Sequence, residues 1–358
     1  MVTTPDQGAR RFLPYLSLIF CAAALLITFI RLIEFDAPLT RFVRSLNDFH
    51  IDHLHDPWLA RLSDVGDEIG RGESLLLVNA VLLVAGYLLK RSSLKRAGWE
   101  TLVAHLVAGG INTLLKHLVG RGRPKFLHGD HSVFIPFGGS GWDSFPSGHA
   151  MASCAVATVL AVRFPRLRWV VILIALAVSM SRLFRGSHFL TDIVAGVVLG
   201  VLIGAAVAHP WKDRSAAFTS AMMLVTPALA ALLAVMSTIG QGSLEVRTAT
   251  MLGAGGFVLA VTAIIAYVLS RLRPALLPPS LTRTGALALM ALGIAMSSGS
   301  VLVALVVVLV WLGYWLRPEQ RSPEAETTDS WPSEAAFGLG VLLTLLTMME
   351  LRGALPME

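Results

Sequence analysis

The chain has 358 residues, 55% hydrophobic and only 15% charged, with a mean hydropathy of +0.69. Soluble domains carry about a quarter charged residues, so an ordinary water-soluble protein is excluded. The net charge of +6 falls in clusters between apolar runs rather than along one basic face, which argues against a nucleic-acid partner.

In chain order, an apolar run over 13–30 follows Arg10 and Arg11 and reads as a first, uncleaved span. Ile19 and Phe20 before Cys21 do not make a lipoprotein site, and Cys21 and Cys154 both lie in apolar runs that imply no disulfide framework. Residues 34–73 hold no spanning run. With Pro38, Pro57, scattered acids and apolar patches at Trp58, Leu59 and Leu62, they predict helices lying in the membrane interface. Further spans are expected over 74–89, 99–115, 149–162, 169–181 and 189–208, completing a six-span core within residues 1–214. Beyond it, 216–239 and 249–269 read as full spans, 285–296 and 301–316 as a shorter pair, 317–333 as a polar loop and 335–349 as a last span. The expectation is therefore an all-α fold, a polytopic membrane helix bundle in which residues 215–358 form a C-terminal extension of four to five spans.

Basic residues orient this bundle. Arg10 and Arg11, the 90–96 group, Arg163, Arg166 and Arg168, and Lys212 and Arg214 fall on one side if the spans alternate, and that side is cytoplasmic by the positive-inside rule. The N-terminus is then cytoplasmic. In a bacterial inner membrane, the segments 34–73, 116–145 and 182–188 face the periplasm together.

Two of those segments and the 146–149 helix start carry chemistry. Lys116 and Arg123 are seven residues apart, about two helical turns, so both can enter one pocket where Gly120, Gly122 and Pro124 fray the helix. The plainer alternative makes them, with Arg121 and Lys125, an interfacial cluster touching lipid headgroups. Ser147 is a favoured N-cap residue, and a helix starting at Gly148 presents free N–H groups to an anion. His149 in its first turn can then deliver or take a proton, or simply cap the helix. His188 and Asp192 lie four apart on one helical face, where a carboxylate fixes the imidazole tautomer and leaves the other nitrogen as a nucleophile. Arg182 adds a fork suited to phosphate oxygens. The alternative is a pair that only ties helix ends together.

Residues 116–124 fit K-x6-R-P, 146–149 fit P-S-G-H, and 181–192 fit S-R-x5-H-x3-D. This pattern resembles the type-2 phosphatidic acid phosphatase superfamily, which also contains glucose-6-phosphatase and the vanadium haloperoxidases; the resemblance covers about residues 13–208. It implies that His188 attacks phosphorus to form a phosphohistidine with Asp192 orienting it, and that His149 protonates the leaving oxygen and later activates water. Lys116, Arg123, Arg182, Ser147 and the Gly148 N–H would hold the phosphate oxygens, with no metal or other cofactor. The implied substrate is a lipid phosphate or diphosphate of the polyprenyl diphosphate, phosphatidylglycerol phosphate or phosphatidate class. Alternatives are a phosphotransferase acting on a glycolipid acceptor, a glucose-6-phosphatase-like sugar phosphatase, and a non-enzymatic lipid transporter or scaffold. No residue pattern speaks to the oligomeric state.

Three further sets stand apart. His50, His53 and His55 with Asp52 and Asp56 are an incomplete metal set, more ordinarily interfacial histidines. His128, Asp130 and His131 are placed to line a substrate entrance. Glu100, His105 and Asn112 are costly facing lipid and are expected to turn into the bundle as structural contacts.

Overall fold

The computed structural model describes residues 6–43, 58–126, 133–239, 246–272, 283–298 and 303–309. Among these residues the fold is all-α and no strand forms. The His50–His55 set, His128, Asp130 and His131, and the runs over 317–333 and 335–349 lie outside the described residues.

The helices are α1 (Asp6–Ile33), α2 (36–43), α3 (Trp58–Gly70), α4 (Gly72–Leu88), α5 (Ser92–Val119), α6 (Gly148–Arg163), α7 (Arg168–Phe184), α8 (Leu190–Ala208), α9 (Arg214–Ile239), α10 (Val246–Leu272), α11 (Arg283–Ser297) and α12 (303–309). Among the described residues three stretches are long and apolar enough to cross a membrane: Ser92–Val119, Pro165–Phe184 and Leu190–Ala208. A fourth candidate is Ser63–Gly70 joined to Gly72–Leu88 across a 54° bend. The segment expected to lie in the interface thus leads directly into a span, broken where Gly70 and Gly72 flank Arg71. At sixteen residues, α6 is short for a full crossing.

The chain divides into two compact units, 1–31 with 222–358 and 32–221. In the first unit α10 and α11 touch backbone to backbone. A Cβ on Gly256 would sit 2.7 Å from Gly293 O, and one on Gly293 would sit 2.6 Å from Ala260 Cβ.

In the second unit, α6 lies at the centre, between α5, α7 and α8. The α6–α8 seam is set by a glycine at every fourth position of α8. A Cβ on Gly196 would come within 2.6 Å of Ser147 O, one on Gly200 within 2.9 Å of Cys154 Cβ, and one on Gly204 within 2.6 Å of Ala155 O. Small residues at this spacing let membrane helices approach without side chains between them. Ala104 and Ala108 of α5, Met151, Ala155 and Val159 of α6, and Ile203 and Ala208 of α8 complete the core. At one end of this bundle Arg163 donates to both Glu100 oxygens (2.5 and 2.7 Å) and to Ala208 O (2.5 Å), with Arg96 also on Glu100 (2.8 Å). The Glu100 carboxylate, costly in lipid, is thereby satisfied inside the bundle. Because neighbouring helices run in opposite directions, the C-termini of α3, α5 and α7 and the N-termini of α6 and α8 meet at the other end.

Candidate active site

That second end carries the polar residues. Lys116 sits in the last turn of α5, which Gly120 closes in the left-handed conformation (φ 57°), its N–H donating to Lys116 O at 2.9 Å. A Cβ at Gly120 would collide with the backbone of Ile135 and Pro136, so only glycine lets the chain turn there. The following loop folds back over its own stem. Ile135 N donates to Gly120 O (2.7 Å), Gly122 N to Val133 O (2.9 Å), Arg123 N to Gly141 O (3.0 Å) and Ser144 N to Arg121 O (2.9 Å).

Arg123 turns to Asp143, with Nε–Oδ1 2.8 Å and Nη2–Oδ2 2.7 Å, and Lys116 Nζ stands 3.6 Å from the same carboxylate. The hydrogen bonds from Arg123 hold the Asp143 carboxyl well below the usual carboxylate range. Arg121 points the other way, into the protein. It donates to Asp192 Oδ1 and Thr191 Oγ1 through Nη1 and to Asp36 Oδ2 through Nη2, each at 2.7 Å. Its guanidinium lies 4.3 Å from the centroid of the Phe189 ring. Asp36 also accepts from Thr191 N (3.0 Å) and from the Thr191 hydroxyl. Burial pushes its carboxyl up to about 6.

His188 is buried, and its Nδ1 lies 2.8 Å from Ser144 O, a carbonyl that can only accept. The proton is therefore assigned to Nδ1, which leaves Nε2 with a lone pair. Asp192 Oδ2 is 3.7 Å from the same Nδ1, too far for a hydrogen bond. It accepts instead from Ser144 Oγ (2.5 Å) and Phe189 N (2.9 Å), and so fixes the residue whose carbonyl holds the imidazole. Burial, reinforced by the charges of Lys116 and Arg123, pushes His188 below the usual histidine value, so the ring is neutral at neutral pH.

Ser147 occupies the N-cap position of α6 but makes no capping bond; its Oγ is buried and without a hydrogen-bond partner. Its N–H donates to Asp192 O (2.9 Å), which ties the start of α6 to α8. Gly148 fits against Asn112, where a Cβ would come within 2.9 Å of the amide oxygen, and Asn112 donates to Pro146 O at 3.0 Å. Asn112 is the structural contact expected of it. His149 Nε2 is 3.3 Å from Asp67 Oδ1, and Arg182 pairs with that same oxygen. His149 is also within Coulomb range of His188 and Lys116. His105 lies beside Gly72 at the start of α4, its Nδ1 without a hydrogen-bond partner.

Lys116, Arg123, Ser147, Gly148, His149, Arg182, His188 and Asp192 thus gather at one end of the bundle, each cation answered by a carboxylate. Five participants were not singled out from sequence: Asp36, Asp67, Arg121, Asp143 and Ser144. From sequence Arg121 reads as one charge in an interfacial cluster with Arg123, and nothing in their spacing separates the two. Asp67 belongs to a stripe with Ser63, Gly66 and Gly70, spaced to lie on one helical face. Asp36, Asp143 and Ser144 carried no local pattern.

The site thus belongs to an all-α bundle that collects cations and two histidines at one end of its helices. The chain belongs to the PAP2 superfamily, whose profile matches residues 97–216. It is 33% identical over 147 residues to the lipid A 1-phosphatase of Rhizobium johnstonii, a match spanning 37% of this chain and 60% of that protein. It is 31% identical over 158 residues to the lipid A 1-phosphatase of Rhizobium etli, spanning 39% and 68%. Among solved structures, a transmembrane PAP2-type phosphatidylglycerolphosphate phosphatase from Bacillus subtilis is similar at 24% identity and a TM-score of 0.39, over 52% of this chain and 93% of that one.

Proposed function

We propose that the protein is an integral-membrane phosphatase that hydrolyses a lipid phosphate or diphosphate without a metal, through a phosphohistidine on His188. The observation that carries this reading is the neutral, buried His188, its Nδ1–H fixed on Ser144 O and its Nε2 left to attack. In the first step His188 Nε2 bonds to phosphorus, the P–O bond to the lipid breaks, and His149 passes its proton to the leaving oxygen. In the second, water attacks phosphorus, the N–P bond breaks, and His149 takes the proton back. Lys116, Arg123, Arg182, the free Ser147 hydroxyl and the Gly148 N–H stabilise the charge that develops on the phosphoryl oxygens.

A lipid substrate is supported by an apolar groove of ≈ 370 Å³ between α4, α6 and α7, walled by Leu75, Val78, Val156, Leu160, Ile174 and Val178. The groove includes Ser153, whose hydroxyl donates to His149 O at 2.6 Å, so a tail lying there would bring its headgroup to the histidines. The likeness to lipid A 1-phosphatases adds a glycolipid phosphate to the polyprenyl diphosphate, phosphatidylglycerol phosphate and phosphatidate classes. The same reading takes 1–214 as the phosphatase core, 215–358 as an extension, and the site as facing the periplasm. Release of inorganic phosphate from a panel of these lipids by purified protein tests it. Wild type is expected to turn over at least one, and His188→Ala none. Equal release by both would refute the assignment, and a phosphorylated acceptor lipid without free phosphate would identify a transferase.

A further inference from the structure

Asp67 has no part in the machinery just described, yet it is the most heavily engaged carboxylate on α3. Its Oδ2 lies 3.2 Å from Arg185 Nη1 and 3.3 Å from Arg71 Nη2, while Oδ1 is shared by Arg182 and His149 Nε2. The packing of α3 serves this placement. Ser63 Oγ donates to Ser181 O (3.2 Å), and a Cβ on Gly66 would meet Ser181 Oγ at 2.5 Å. A Cβ on Gly70 would come within 2.8 Å of His149 Cδ2. The C-terminal half of α3 is therefore pressed against α7 and the His149 ring, with Asp67 in the seam. Three arginines hold the carboxylate ionised and in place, so it acts as a fixed acceptor and takes no proton. His149 Nε2 is itself sealed from solvent and makes no formed hydrogen bond; Asp67 Oδ1 lies 3.3 Å away, close but not aligned with it.

We propose that Asp67 is the positioning residue for the proton donor: as substrate binds, the 3.3 Å contact closes, Asp67 accepts from His149 Nε2–H and thereby directs Nδ1–H at the leaving oxygen. This rests on the phosphohistidine reading. When the P–O bond breaks, the Nδ1 proton of the imidazolium goes to the lipid alkoxide, and the neutral ring keeps its Nε2 proton against Asp67. Water attacking the phosphohistidine then returns a proton to Nδ1. The carboxylate stays ionised throughout, and its charge favours the imidazolium before bond cleavage. Because Oδ1 also binds Arg182, one atom fixes both the donor and a phosphate-holding fork.

The test uses full-length protein in detergent, rapid quench, and two esters that differ in their need for an acid. Dodecyl phosphate leaves as an alkoxide that must be protonated; 4-nitrophenyl phosphate leaves as a stable phenolate. Asp67→Asn is expected to slow phosphoenzyme formation from dodecyl phosphate about 100-fold and from 4-nitrophenyl phosphate less than about 5-fold. Equal slowing on both esters, or none on dodecyl phosphate, overturns the proposal. In a His149→Ala background Asp67→Asn is expected to leave the ratio between the two esters unchanged, any loss through Arg182 falling on both alike, and a further shift of that ratio would also overturn it. Should Asp67→Asn not fold, Asp67→Glu, which keeps the charge but moves the oxygen, is expected to shift the ester ratio in the same direction; an unchanged ratio counts against the assignment. Turnover by His188→Ala would remove the underlying reading along with this one, whereas an inert His188→Ala beside an Asp67→Asn of unaltered ester ratio removes only the role of Asp67.

Discussion

Arg121 joins two buried carboxylates, Asp36 and Asp192, that would otherwise face each other without a cation between them. Breaking a buried ion pair from one side typically costs about 3–5 kcal/mol, so Arg121→Ala is expected to lower the unfolding midpoint in detergent by far more than Arg185→Ala at the exposed end of the same site. Asp36 gives a pH signature. Its native carboxyl holds a proton up to about 6 against 3.8 in the unfolded chain, so this group makes stability fall as pH rises between those values. Asp36→Asn is expected to remove that fall, and thermal unfolding measured across the interval decides the matter. Asp143 acts with the opposite sign: its carboxyl is held low by Arg123, so its contribution is present above 3.8 and is lost on acidification. On the proposed mechanism His188 sets the pH dependence of the rate. Since burial lowers it, the nucleophile remains neutral below 6.5, and phosphoenzyme formation from saturating 4-nitrophenyl phosphate is expected to keep its full rate until pH drops under that value. An acid limb centred at or above 6.5 would contradict the neutral-nucleophile assignment.

Among the helices, the decisive contact is the α6–α8 seam, which sets the distance between the two histidines. Gly200→Leu would drive a side chain into Cys154 and Ala155 and is expected to abolish phosphate release. Gly109→Ala, where a Cβ meets nothing within 4 Å, is expected to retain it. A Gly200→Leu protein with normal turnover would mean that the seam does not position the site. The helices themselves were largely legible: the apolar runs over 99–115 and 169–181 sit inside α5 and α7, and that over 189–208 matches α8 to within one residue, because a span's composition is dictated by the solvent around it. The site residues that sequence exposed were those whose spacing repeats a helical turn, such as His188 and Asp192. Asp36 and Asp67 were hidden because their partners lie 85 and 115 residues away, a relation that only packing creates. The same holds for the His188 proton, which spacing assigns to Asp192 and geometry gives to Ser144 O.

At the scale of the whole chain, the site lies within the compact unit over 32–221, whose C-terminal edge includes Ala217 and Ala221 packed on Ala205. Sidedness can be read directly. Gly139 has open space at its Cβ. With Cys21 and Cys154 replaced by serine, Gly139→Cys is expected to react with a membrane-impermeant maleimide in intact bacterial cells. Labelling only after lysis would place the site on the cytoplasmic face and reverse the orientation drawn from the basic loops.

The carboxylates that answer the cations of the site have a bearing on selectivity. Lys116 and Arg123 already have Asp143, and Arg182 has Asp67. A bilayer surrounds such a site with phosphodiester headgroups, each bringing one negative charge, and one charge offers these cations little beyond what they hold. A terminal monoester brings nearly two at neutral pH. On the proposed function, internal neutralisation would then act as a filter, drawing rare monoesters from among a vast excess of structural phospholipid.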